Sequence, residues 1–188
     1  MRPGRAINSY HTLRQIFVSA TSAESTRGLL RAGNLLIPCA LGRTGIRAQK
    51  LEGDGASPRG VWPLREAYYR ADRFATRPAT MLPIRALSPE NGWCDAPGNR
   101  NYNRPVQHPY DDSAERLWRS DSLYDIIIVV GYNDRPRQQG RGSAIFIHVA
   151  RQGPKGLEPT EGCIALRKRD LVRLLPMLGP ATQLQVGD

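Results

Sequence analysis

Five consecutive β-branched residues, Ile126 to Val130, restrict the folds open to this chain more than any other segment. β-Branched side chains favour extended backbone, and an apolar run this short is typical of a strand. No polar residue interrupts it, so we expect a central strand that is buried on both faces. A second run that is mostly apolar, Ser143 to Ala150, follows along the chain. Together the two runs predict the middle of a β-sheet.

The other predicted elements are short. The chain has 18 glycines and 15 prolines, which favours short strands and loops over a helix bundle. Residues 43–60 are predicted as an ordered loop, and residues 73–122 as a long polar connection that is either functional or partly structured. Val61 to Asp72 is aromatic enough for a strand, although Leu64 to Ala67 also fits a helix. Further strands are predicted at Leu13 to Ala20, in a hairpin over Leu29 to Leu41 and at Thr182 to Val186, with a helix at Arg169 to Leu178.

The length of 188 residues fits one domain with its own core, and no linker or internal repeat divides it. We therefore predict a basic lead-in over residues 1–11 and one mainly β domain over residues 12–188. No segment approaches the roughly 18 apolar residues of a membrane span. No apolar region follows the basic start of the chain, so no signal peptide is visible.

His148 and Cys163 are the candidate catalytic residues. A thiol is a useful nucleophile as a thiolate, and an imidazole is the usual neighbour that produces one. Gly162 allows a tight turn and close approach of a substrate carbonyl, and backbone N–H groups around such a turn can form an oxyanion hole. Both residues also have structural interpretations, as a polar residue at a strand end and as a small core side chain.

The formal net charge of +10 indicates either an anionic partner or a compositional bias toward arginine. All but three of the 27 basic residues are arginine, and they are scattered along the chain. No helix-turn-helix, zinc-finger or RNA-recognition signature is present, so nucleic acid is not a predicted partner.

Three cysteines, Cys39, Cys94 and Cys163, do not make a complete disulfide framework. Cys39 and Cys94 are the most plausible pair, but nothing in the sequence requires a bond between them. The chain has neither a Cys-x-x-Cys motif nor a histidine-rich tract, so we predict no metal site.

Several motifs together resemble the catalytic domain of the L,D-transpeptidase (YkuD-type) family of bacterial cell-wall enzymes. That family's signature is a histidine, a spacer, and then Ser/Thr-His-Gly-Cys with a following apolar residue. Here His148 and the segment from Thr160 to Ile164 occupy those places. Upstream, Lys50 to Gly60 resembles the family's Gly/Asp–Thr-Pro-x-Gly loop. The resemblance covers roughly residues 12–187. Within it, the segments Gly92 to Asp95, Tyr102 to Arg104 and Gly140 to Ser143 are similar to a compact proteobacterial branch.

The resemblance implies a single-domain YkuD-like β-sandwich with long loops and a short helix after the cysteine. It also implies a reaction without a cofactor, in which Cys163 attacks a peptide carbonyl next to meso-diaminopimelate in a peptidoglycan stem. His148 would act as general base and acid, and Gly162 would shape the oxyanion hole. An amine of a second stem would resolve the thioester and form a crosslink. The family resemblance implies acylation of the same thiol by carbapenems.

Five further residues are candidates for substrate binding. Arg104 and Arg141 can bind stem carboxylates, since arginine pairs with them in a bidentate manner, or can be ordinary surface residues. Asp95 either lines the site or caps a turn. Thr160 and Glu161 belong to the nucleophile motif itself.

The sequence does not determine which acceptor, an amine or water, resolves the thioester. It departs from the family pattern at Glu161, where most members have histidine, and at Ala165, where many have arginine or asparagine. Water as acceptor would make the chain an L,D-carboxypeptidase or endopeptidase. An alternative of another class is a non-catalytic basic module that binds an anionic polymer. A peptidoglycan substrate implies the periplasm, although no export signal is visible, and we favour a monomer.

Overall fold

The computed structural model describes residues 12–187, so the predicted lead-in over residues 1–11 lies outside the described residues. Strands make up most of its regular structure. They are β1 (Gln15–Ala20), β2 (Arg27–Ala32), β3 (Leu35–Ala40), β4 (Ile46–Arg47), β5 (Ser57–Pro58), β6 (Gly60–Tyr69), β7 (Ile84–Ala86), β8 (Asn91–Cys94), β9 (Arg104–Gln107), β10 (Ala114–Arg116), β11 (Ile126–Val130), β12 (Phe146–Val149), β13 (Gln152–Gly153), β14 (Gly156–Leu157), β15 (Ile164–Leu166) and β16 (Gln183–Val186). Helix α1 spans Lys168–Leu174, and short 3-10 turns span Ala71–Arg73 and Leu175–Met177.

Nine strands form one sheet that folds around a shared apolar core. Their order is β11-β12-β15-β3-β2-β1-β16-β6-β7, and β6 also pairs with β11. The ten-residue strand β6 makes both contacts, because residues 60–63 pair with β16 and residues 64–69 pair with β11. The prediction of a single, mainly β domain is thereby confirmed, and β6 is a strand along its whole length.

The β-branched run forms β11, which separates two apolar clusters. Ile126, Ile128 and Val130 belong to the main core, whereas Ile127 and Val129 belong to a second cluster. Burial of one such side chain contributes about 1.5–3 kcal/mol, so a strand without a polar face is stable here. All five residues are buried, which confirms the predicted central strand.

A small sheet that the sequence does not reveal lies beside the second cluster. Strand β8 pairs with β10 on one side and β9 on the other, all within residues 73–122. Trp93 of β8 packs edge-to-face on Phe146 of β12, with ring centroids 5.2 Å apart. These strands are three or four residues long, which is too short for a recognisable alternation of polar and apolar residues.

Two predicted elements are shorter than expected. The apolar run over residues 143–150 becomes strand only from Phe146, because Ala144 has a φ of 52° and interrupts the extended backbone. Helix α1 ends at Leu174 and continues as a 3-10 turn through Pro176. Its buried residues Leu171 and Leu174 pack into the main core.

Within residues 12–187, the helices are all too short or too polar to cross a membrane. Cys39, Cys94 and Cys163 are all free and buried, so the structure does not contain the pairing that the sequence allows.

Candidate active site

Cys163 lies in a glycine turn directly before β15. Gly162 has a φ of +138°, a conformation that residues with a side chain rarely adopt. A Cβ at this position would lie 2.7 Å from the carbonyl oxygen of Ala56. Thr160 closes the turn, because its Oγ1 donates to the Cys163 carbonyl at 2.6 Å and accepts from the Gly162 N–H at 3.2 Å. Gly162 and Thr160 therefore shape the turn that presents the thiol.

Parallel pairing of β12 with β15 puts Cys163 and His148 on one face of the sheet. In this register His148 lies opposite Ala165, and Ile147 lies opposite Ile164. Side chains alternate between the two faces of a strand, so His148 and Cys163 point away from the main core. The structure thus brings the two candidate catalytic residues to one place.

Backbone groups hold the Cys163 sulfur. The Phe146 N–H donates to Sγ at 3.3 Å, and Sγ donates to the carbonyl of Ala144 at 3.2 Å. The side chain is 9% exposed. Burial raises the pKa of the Cys163 thiol to about 12, and the nearby carboxylate of Glu115 adds to the rise. The thiol is therefore protonated at neutral pH.

A backbone carbonyl orients the His148 ring. Nδ1 lies 2.9 Å from the carbonyl oxygen of Val149. Since a carbonyl only accepts, Nδ1 carries the proton and Nε2 keeps its lone pair. Tyr124 packs edge-to-face on the ring, with centroids 5.2 Å apart. Burial lowers the pKa of His148 to about 4, although the carbonyls of Val149 and Leu123 favour the charged form. The imidazole is therefore a neutral base at neutral pH.

We expect the protein to lose stability as the pH falls from about 6.5 to about 4. Over this range His148 stays neutral in the folded protein, whereas it binds a proton in the unfolded chain. Acid therefore favours unfolding, by about 3 kcal/mol in total from this group. Urea unfolding of the wild type and His148→Gln between pH 7 and pH 4 measures the effect. Equal pH dependence in the two proteins would contradict the prediction.

Cys163 and His148 line a cavity of about 620 Å³, a volume typical of ligand sites. Its walls carry charges of both signs. The carboxylates belong to Glu52, Asp95, Glu115, Glu158 and Glu161, and the guanidinium groups belong to Arg119 and Arg151. A cavity with this lining suits a ligand that carries both ammonium and carboxylate groups.

Three of the five predicted substrate-binding residues reach this cavity. They are Asp95, Thr160 and Glu161. In the part of the chain that the structure describes, Oδ1 of Asp95 is buried without a hydrogen-bond partner. Glu161 is exposed and forms an ion pair of 2.8 Å with Arg43.

The two predicted arginines do not reach the cavity. Arg104 is exposed on β9. Arg141 is exposed and lines a different cavity, beside Trp62 and Tyr132. The carbonyl of Arg141 accepts a hydrogen bond from the Tyr132 hydroxyl at 2.6 Å, and the next residue, Gly142, has a φ of +99°.

Sequence reasoning missed most of the residues that line the cavity, among them Glu115, Arg119, Tyr124 and Arg151. Tyr124 donates to Oε1 of Glu115 at 2.5 Å, and Arg119 and Arg151 add positive charge to the wall. Burial raises the pKa of Glu115, while the hydrogen bond from Tyr124 and the charge of Arg119 lower it. No motif marks these residues. The one feature of the sequence that could have pointed to Tyr124 is its position two residues before the apolar run that forms β11.

Among residues 12–187, no group of three or more histidine, cysteine, aspartate or glutamate side chains is arranged to hold a metal ion.

Comparison with known protein families matches residues 14–186 to the L,D-transpeptidase catalytic domain, YkuD. The match includes every strand of the main sheet as well as His148 and Cys163. No curated protein and no solved structure matches the chain.

Proposed function

Because the chain belongs to the YkuD family of L,D-transpeptidase catalytic domains, we propose that it crosslinks peptidoglycan stem peptides through a thioester on Cys163. The observation that carries this proposal is the placement of Cys163 and His148 on one face of the sheet and in one cavity. The mixed charge of the cavity wall suits stem peptides, which carry free carboxylates and the amine of meso-diaminopimelate. Because a substrate of this kind lies outside the cytoplasmic membrane, we propose that the protein acts in the periplasm.

The neutral state of both groups supports a general-base mechanism rather than a preformed thiolate–imidazolium pair. Nε2 of His148 takes the proton of Cys163 as the sulfur–carbon bond to the donor carbonyl forms. His148 then returns that proton to the leaving amine as the peptide bond breaks, which leaves the thioester. In the second half-reaction an acceptor amine attacks the thioester carbonyl and His148 takes its proton. The carbon–sulfur bond then breaks as His148 gives this proton to the sulfur, which releases the crosslinked product and regenerates the thiol.

A backbone N–H in the turn that carries Cys163 is the hydrogen-bond donor that we propose for the oxyanion. The N–H of Gly162 donates to Thr160 and is occupied within the turn. This leaves the N–H of Cys163 as the donor next to the developing charge. Arg119 and Arg151 both line the cavity, but Arg119 already donates two hydrogen bonds to the carboxylate of Asp121. Arg151 is more exposed, so it is the arginine that we propose for the carboxylates of a stem.

Mass spectrometry of the wild-type reaction tests the proposal. The protein is incubated with tetrapeptide muropeptides that contain meso-diaminopimelate, and both the products and the peptide that contains Cys163 are analysed. We expect crosslinked dimers and a transient acyl adduct on Cys163. Shortened stems without dimers would indicate the hydrolytic alternative, in which water is the acceptor. Absence of both products and of an adduct, with any donor stem or carbapenem, would overturn the proposal.

A further inference from the structure

Lys50 is a buried lysine that the acyl-transfer steps above do not use. Its side chain is 3% exposed and lies in the loop between β4 and β5. The ammonium donates to Oδ1 of Asp54 at 2.7 Å and to the carbonyl of Leu51 at 3.3 Å. Burial of a charged amine is costly unless the charge is paired, and here a single carboxylate pairs with it. A buried pair of this kind calls for a role beyond stability.

The lysine side chain packs against the turn that carries the nucleophile. Nζ of Lys50 lies 3.4 Å from the position that a Cβ on Gly162 would occupy. Its Cε lies 2.9 Å from the corresponding position on Gly142. Both glycines have positive φ angles, of 138° and 99°. The lysine side chain thus occupies space that side chains at these two positions would need, and its ammonium lies next to Gly162, the residue before the nucleophile.

The Asp54 carboxylate keeps this ammonium in place. Burial raises the pKa of Asp54, but hydrogen bonds from Lys50 and from the N–H groups of Leu51 and Ala56 outweigh that effect and hold the pKa below its usual value. Asp54 is therefore ionised at neutral pH, and its carboxylate accepts a hydrogen bond from Nζ of Lys50 at 2.7 Å. Ala56 links this network to the turn, since its carbonyl oxygen is the atom that a Cβ on Gly162 would meet.

We propose that Lys50 is a positioning residue for Cys163, which holds the Gly162–Cys163 turn and provides positive charge where negative charge develops during acylation. The inference rests on the proposed role of Cys163 as the nucleophile. Lys50 neither gives nor takes a proton in this role, so the bond changes of the reaction are those already described.

The charges around the thiol support this role. Burial and the Glu115 carboxylate raise the pKa of Cys163, whereas the Lys50 ammonium lowers it. The cavity that contains the thiol has further titratable side chains in its wall: His148, Tyr124, Glu52, Asp95, Glu158, Glu161, Arg119 and Arg151. Burial lowers the pKa of His148 and raises that of Tyr124, so both are uncharged at neutral pH. Lys50 is thus the cation that opposes Glu115 at the sulfur.

Alkylation of Cys163 by iodoacetamide between pH 6 and pH 11 tests the inference without any substrate. The rate is followed on the peptide that contains Cys163, since Cys39 and Cys94 are also free. We expect Lys50→Gln to react about tenfold more slowly throughout this pH range, because its rate profile is displaced by about one pH unit to higher pH. Lys50→Arg should keep most of the wild-type rate. Lys155→Gln, at an exposed lysine, is the matched control and should not change it.

Variants that remove a negative charge distinguish an electrostatic effect of Lys50 on the thiol from simple support of the fold. Glu115→Gln removes the opposing charge and should make alkylation faster. If Lys50→Gln does not fold, Asp54→Asn decides the question: a faster rate at pH 8 supports the inference, and an unchanged or slower rate overturns it. A folded Lys50→Gln with the wild-type pH profile also overturns it. A shifted profile in a protein that forms no dimers would support the role of Lys50 and reject the transpeptidase proposal.

Discussion

Replacement of Cys163 by alanine is expected to abolish the thioester and the crosslinked dimers. The change removes one sulfur atom from a buried turn and leaves the Cβ, so the fold should persist. Without a nucleophile the covalent route is lost, and the rate should fall by more than about 10⁴-fold. The measurement is the yield of dimers from tetrapeptide muropeptides by mass spectrometry, with the acyl adduct followed on the intact protein.

The chain offers matched controls for this experiment. Cys39 and Cys94 are also free and buried, but neither lines the cavity that contains His148. Burial raises the pKa of Cys39 to about 12, and its side chain packs into the main core. Cys39→Ala and Cys94→Ala should therefore retain the adduct on Cys163 and the dimers. Dimers made by Cys163→Ala would rule out the covalent mechanism.

Replacement of His148 by glutamine is expected to slow acylation of Cys163 by about 10²–10⁴-fold. The glutamine amide can still donate to the carbonyl of Val149, but it cannot take the thiol proton. Because the thiol is protonated at neutral pH, loss of the base affects the first bond-forming step directly. Single-turnover acylation by a carbapenem or a donor stem, followed by intact mass, measures this step.

The pH dependence of the same reaction provides a second readout. The low pKa of His148 keeps the base neutral down to about pH 4, so protonation of His148 should not limit the wild-type rate between pH 7 and pH 5. His108→Gln is the matched control, since His108 does not line the cavity of Cys163 and this change should leave acylation intact. A rate for His148→Gln within about threefold of the wild type would exclude the general-base role.

Strands and turns whose conformation follows from a few neighbouring residues were predicted correctly. The β-branched run gave β11, and the turn at Gly33, with a φ of 57°, joins β2 and β3 as the hairpin pattern indicates. Both depend on the backbone preferences of a few neighbouring residues. The small sheet of β8, β9 and β10 was missed because its strands are stabilised by contacts with the second cluster rather than by local preference.

The arginines of the site show where sequence reasoning reaches its limit. Arg104 and Arg141 were predicted next to conspicuous motifs, whereas Arg119 and Arg151 line the cavity. All but three of the basic residues are arginine, so composition does not distinguish them. The direction of each side chain depends on strand register and turn geometry, which are set by pairing between distant segments.

The amino-acid sequence alone identifies the β architecture and the family motifs. It also identifies Cys163 as the candidate nucleophile and His148 as the candidate base. Such features are local, because they follow from side-chain type and from the conformational freedom of glycine. Three-dimensional packing establishes the rest: the parallel register of β12 and β15, the neutral state of both groups, the carbonyl that orients His148, and the placement of Lys50 beside the turn. These properties depend on burial and on charges from distant parts of the chain, and burial exists only once those parts have packed together.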